Sequence, residues 1–107
     1  MQVYFCGFDC EILMQRHADG SPRLQLWNQQ AGPVATATVE LSDCGVVPKQ
    51  SMACVKTGAE NTGLLGKLLV RGAIAAPVAW LQLGHGVAIA LCPLSPELLG
   101  YSSVERN

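Results

Sequence analysis

Residues 23–28 read Arg-Leu-Gln-Leu-Trp-Asn, polar and apolar in alternation up to Leu26, and residues 34–41 (VATATVEL) take up the pattern from Ala35 with β-branched side chains. Alternation of period two is the mark of a strand with one buried face. It places Leu24 and Leu26 on one side and Trp27 on the other. Asp19-Gly20 precedes the first run and Gly32-Pro33 separates the two. Both dipeptides favour turns. Together these features predict an antiparallel meander, its register pinned because a slip of one residue would exchange the faces of every side chain.

The rest of the chain fills in around that meander. Residues 3–5 form a short β-type run, with a tight turn expected at Gly7-Phe8-Asp9, and residues 10–17 carry Ile12, Leu13 and Met14. A further strand is expected over residues 52–56. Leu64, Leu65, Leu68 and Leu69 make a stripe at helical spacing. Asn61 or Thr62 is the expected N-cap, and Gly72 stands where a left-handed glycine would end the helix. Gly63 and Gly66 each lower helix propensity by about 1 kcal/mol relative to alanine, so packing must hold the helix; they would also let it approach a sheet closely. Residues 87–91 (VAIAL) are apolar throughout, as in a central strand covered on both faces. Trp80-Leu81-Gln82-Leu83 follows Pro77, a loop with a turn at Gly84-His85-Gly86 precedes the strand, and Pro93 and Pro96 stop it. A loop is expected at Ser42-Asp43-Cys44-Gly45 and Pro48. The expected fold is one α+β domain over residues 1–99: a mostly antiparallel sheet of five or six strands with one helix packed on one face, followed by a polar, frayed tail over residues 100–107.

Of the 107 residues, 50% are hydrophobic and 14% charged, and the net charge is -1. Such a chain can build a core, so disorder is excluded. A net charge near zero also excludes bulk electrostatic binding of nucleic acid. Few charges over much apolar surface predict a partner-binding face and a homodimer. Residues 72–96 carry no formal charge. That length could span a bilayer, but Pro77, Gln82 and the Gly84-His85-Gly86 turn would break a helix and place polar groups in lipid, so no membrane association is expected. The first residues lack the basic and long apolar regions of a secretory signal. The five cysteines, Cys6, Cys10, Cys44, Cys54 and Cys92, are odd in number. Reduced thiols in the cytoplasm are the expected state.

No cluster of residues carries an enzyme signature. Cys6 and Cys10 are spaced as metal ligands can be, but no second close pair accompanies them. No nucleophile motif surrounds His17 or His85. Gly63-x-x-Gly66-Lys67 lacks the spacing of a phosphate loop. A non-enzymatic interaction protein without a cofactor is the leading reading, with a protein as partner. The alternatives are a small-molecule or nucleotide-binding module, for which Trp80, His85 and the Lys67/Arg71 face are the candidate binding residues, and a metal-thiolate protein.

Val3-x-Phe5-x-Gly7-x-x-Cys10, Ala18-Asp19-Gly20, Ala35-Thr36-Ala37-Thr38-Val39-x-Leu41, Glu60-Asn61-x-Gly63-Leu64-Leu65 and residues 87–92 occur in an order that resembles a family of small proteins encoded by bacteriophages and other mobile elements. The resemblance covers most of the chain. It implies a cytoplasmic accessory protein and brings no catalytic residue with it. Inhibition of a host defence system, of the anti-CRISPR kind, is one role it suggests. The Gly84-His85-Gly86 turn and Cys6, Cys44 and Cys54 depart from the family pattern.

Thiol titration after denaturation without reductant should count all five cysteines. A count of one would mean two disulfides and would overturn the reducing compartment.

Overall fold

Cys6 and Gly7 both take positive φ, 54° and 83°, as the two centre residues of a tight hairpin turn do. They join β1 (Gln2–Phe5) to β2 (Phe8–Arg16) in antiparallel register, with Phe5 opposite Phe8. The turn thus falls one residue earlier than Gly7-Phe8-Asp9, and Phe8 and Asp9 already belong to the strand. The computed structural model describes residues 1–42, 45, 49–83 and 87–99. The expected loop positions Asp43, Cys44 and Pro48, the Gly84-His85-Gly86 turn and the 100–107 tail lie outside them.

The meander follows the alternation. β3 (Pro22–Asn28) pairs with β2, Ile12 opposite Leu26 and Met14 opposite Leu24. Between them Gly20 takes φ 86° and the turn closes through His17 N–H to the Ser21 carbonyl at 2.8 Å. β4 (Gly32–Thr36) returns along β3, with a register shift at Leu26/Trp27. Asn28 Oδ1 holds this second turn by accepting the N–H groups of Gln30 and Ala31 at 2.9 and 2.8 Å. Leu24 and Leu26 are fully buried, while Trp27, on the opposite face, is 42% exposed. Sheet order is β1-β2-β3-β4.

A second sheet contains β5 (Met52–Thr57), β6 (Ala79–Gln82) and β7 (Ala88–Pro93) in the order β5-β7-β6, all pairs antiparallel. The single sheet of five or six strands is therefore corrected to two sheets that hold seven strands among the described residues, with the α+β class retained. Two physical causes account for the difference. Residues 79–82 pair with β7 although their Trp-Leu-Gln run has no β-branched residue to announce a strand. The alternating run 34–41, meanwhile, is shared between sheets. Ala37 N–H still donates to the Leu24 carbonyl at 2.8 Å, but the Ala37 carbonyl accepts from Lys56 N–H at 2.9 Å, and Val39 N–H donates to the Cys54 carbonyl at 3.0 Å. Thr38 bridges Val55 of β5. The chain leaves one sheet for the other within three residues.

A 3₁₀ turn, Ala59–Asn61, leads to α1 (Leu64–Arg71). The N-cap is Gly63, at φ 84°, with no side-chain cap bond, rather than Asn61 or Thr62. Asn61 is buried and donates from Nδ2 to the Thr36 carbonyl at 3.0 Å, so its amide ties the helix entry to β4. Gly72 ends the helix as expected, at φ 82°, with its own N–H on the Leu69 carbonyl and the Ala73 N–H on the Leu68 carbonyl. Leu64 and Leu68 are fully buried in one core with Val3, Phe5, Ile12, Leu24, Leu26, Val55, Ala90 and Cys92. A smaller apolar cluster of Leu41, Cys54 and Ile89 lies on the other face of β5 and β7, with Val39, Leu81, Val87 and Leu91 only partly buried around it. Among the described residues no helix is long and apolar enough to cross a membrane.

Thr38 is 3% exposed. Its hydroxyl accepts from Leu24 N–H at 3.2 Å and shares a 3.0 Å hydrogen bond with His17 Nε2. Thr38→Val keeps the shape but orphans the Leu24 N–H inside the sheet junction, which should cost about 1–3 kcal/mol in urea unfolding. Thr36→Val, two residues earlier in the same run, should cost less, because its hydroxyl meets the side-chain oxygen Gln25 Oε1 rather than a backbone N–H.

Candidate functional site

α1 buries Leu64 and Leu68, and the flank of the helix beside that stripe carries Lys67, Val70 and Arg71 along β1. Hydrogen-bond parity in the β1–β2 hairpin sets what they meet. Flanking residues of a two-residue turn exchange both ladder bonds, and every second pair does the same. Phe5 and Val3 therefore bond inward to β2, as does Met1, whose carbonyl accepts from Ile12 N–H at 2.8 Å. Gln2 and Tyr4 turn their backbone groups to the open edge. Arg71 Nε donates to the Gln2 carbonyl there at 2.7 Å, and Lys67 Nζ lies 5.8 Å from the centroid of the Tyr4 ring, within reach of a cation–π attraction. Between these groups runs an open groove of about 620 Å³, lined by Gln2, Val3, Tyr4, Gly63, Gly66, Lys67, Val70 and Arg71. Val70 is 92% exposed within it.

Gly66 shapes the groove by leaving it open. A Cβ at Gly63 or Gly66 would meet nothing within 4 Å, so the close approach expected of these glycines is not what they provide. Neither Lys67 nor Arg71 has a carboxylate within ion-pair distance among the described residues, where the ion pairs are Met1–Glu11 and Lys56–Glu60. The groove thus joins two cations without acidic partners to an exposed valine and an aromatic ring. It can receive a ligand with an apolar body and negative groups.

A second polar assembly sits at the β2–β3 turn. Asp19 Oδ1 accepts both the N–H and the hydroxyl of Ser21, which holds the Asp19 carboxyl below its ordinary range. Glu40 Oε2 accepts Asp19 N–H at 2.9 Å, and Arg16 donates to the carbonyls of Gly20 and Gln50. Burial, and next the charge of Arg23, lower the pKa of His17. A hydroxyl beside an imidazole has the outline of a nucleophile and base, but Thr38 is buried and committed to the Leu24 N–H. These groups fasten the turn to the sheet junction.

The four cysteines among the described residues are unpaired: Cys6 is exposed, and Cys10, Cys54 and Cys92 are buried. Burial, then the neighbouring Cys54, pushes the Cys92 thiol up to about 11; Cys10 and Cys54 are raised as well, mainly by burial. Buried thiols so raised are poor nucleophiles. No three histidine, cysteine or acidic side chains gather to hold a metal ion among the described residues.

Lys67 and Arg71 are brought together, but the candidate residues do not form one site. Trp80 lies on β6, the outer strand of the second sheet, 55% exposed, and His85 is outside the described residues. Gln2, Tyr4 and Val70 were missed as groove residues. The alternation of residues 2–5 could have placed Gln2 and Tyr4 on a common face. No sequence signal sets a helix beside that particular strand. Comparison with family models, with curated proteins and with solved structures finds no match to this chain.

The folded His17 ring resists a proton that the unfolded ring accepts near pH 6.5. It therefore contributes stability at neutral pH and above, which is lost as pH falls below about 6.5 toward its lowered folded value. Urea midpoints between pH 7.5 and 5.5 should fall more steeply in the native protein than in His17→Gln; equal slopes would remove His17 as the cause.

Proposed function

We propose that this chain is a non-enzymatic protein-binding module whose recognition surface is the groove between α1 and β1. The observation that carries the reading is the juxtaposition of Lys67 and Arg71, which have no acidic partner among the described residues, with the exposed Val70 and Tyr4. Interfaces favour this composition: an apolar and aromatic centre beside an arginine. The partner then presents acidic groups to the two cations. The resemblance to proteins of mobile elements extends the proposal to a host protein in the cytoplasm, with components of defence systems as one class.

A small-molecule site is the second reading. A volume of about 620 Å³ lies in the range of ligand pockets. Its openness favours a macromolecule, since small ligands bind with most of their surface enclosed.

Affinity capture from host lysate, run in parallel with the native protein and the Lys67→Glu/Arg71→Glu variant, tests the proposal. A protein retained by the first should be lost at least tenfold from the second, while both unfold at similar urea concentrations. Equal retention by both would remove the groove as the recognition surface.

A further inference from the structure

The two sheets end in edges of opposite character. At β1, Arg71 and Lys67 stand over the strand, and Arg71 occupies the Gln2 carbonyl. Charged side chains at an edge oppose strand addition. At β6 there is no such guard among the described residues, and residues 72–96 contain no charged side chain. Val78, Trp80 and Leu83 are 66%, 55% and 42% exposed along it.

Parity also fixes which backbone groups of β6 are available. Leu83 N–H donates to the Val87 carbonyl at 3.0 Å, so in the β6–β7 register Leu81 and Ala79 bond inward to Ile89 and Leu91. Trp80 and Gln82 turn their N–H and carbonyl groups outward. Val78 N–H is turned in to the Leu91 carbonyl, which closes that end.

We propose that β6 pairs antiparallel with β6 of a second copy of this chain, about a two-fold axis at Leu81. This register sets Trp80 opposite the partner's Gln82 and the reverse, each pair exchanging both backbone bonds. Leu81 then meets its twin across the axis. That contact joins the two smaller apolar clusters, each incomplete in one copy, where Leu81, Val87 and Leu91 are only partly buried. The absence of charge lets the edge meet itself without like-charge repulsion. β1 would bring Arg71 and Lys67 of both copies together, so it does not serve. A short edge buries less than a standard interface, and the dimer is accordingly concentration-dependent.

Light scattering coupled to size exclusion reads the outcome. With rising concentration the native protein should move from 11.3 kDa toward twice that mass. Gln82→Pro removes only an outward N–H and should stay at the lower mass, whereas Lys67→Glu/Arg71→Glu should still dimerise. In a Cys6→Ser background, Leu81→Cys should cross-link on mild oxidation at least tenfold faster than Gln82→Cys, a readout that stands if Gln82→Pro fails to fold. A native mass fixed at 11.3 kDa across the series, growth past two copies, or equal cross-linking at the two positions would overturn the proposal. None of these results bears on the α1–β1 groove.

Discussion

Three backbone hydrogen bonds at Ala37 and Val39 hold the two halves of this protein in one body. Ala37 gives its N–H to β3 and its carbonyl to β5, and Val39 adds a second bond to β5. A strand that changes partners in mid-course is how sheets turn a corner. Thr38 sits at the crossing, and its hydroxyl satisfies the Leu24 N–H, which the departing strand no longer meets. Neighbouring features rest on this junction. Asn61 anchors α1 to the Thr36 carbonyl just before it, and His17 bonds to Thr38 from the β2–β3 turn. The core that receives Leu64 and Leu68 exists because the corner brings Val55 and Cys92 against Ile12 and Leu26.

Much of the first sheet was legible because its strands are sequence neighbours. Alternation gave the faces of Leu24, Leu26 and Trp27, and glycines marked the turns at Gly20 and Gly32. The second sheet was only half legible. VAIAL reads as a buried strand and becomes the centre of β5-β7-β6. β6 was hidden because an edge strand with one partner needs no long alternating pattern, and residues 79–82 are too few to show one. The corner was hidden for a different reason. Residues 35–41 alternate without interruption, and periodicity does not record a change of hydrogen-bond partner. For the candidate site, Lys67 and Arg71 were legible as one helix face four residues apart, while the groove depends on which strand that face meets.

Charge is scarce here and unevenly placed. The helix presents its two cations to β1, the β2–β3 turn gathers Arg16, Asp19, Arg23 and Glu40, and the region from Gly72 to Pro96 holds none. The polar assembly at the turn is spent on fixing a loop, the helix cations meet no carboxylate among the described residues, and β6 and β7 are left to backbone and apolar forces. One small domain therefore offers two surfaces of different chemistry, for which we propose an acidic partner at one and a strand at the other.

The connectivity of the two sheets also divides the entropy of folding unequally. β1 to β4 are joined by short turns, so each pairing closes a small loop. β5 and β7 must find one another across the 3₁₀ turn, α1 and β6, with Thr57 opposite Ala88. The loop-closure cost grows with the logarithm of the intervening length, and non-local pairing slows folding. The meander thus offers the less costly nucleus. Until the second sheet closes, the buried faces of Leu24, Leu26 and Ile12 have little to cover them, and this is the interval in which the chain is most exposed to aggregation.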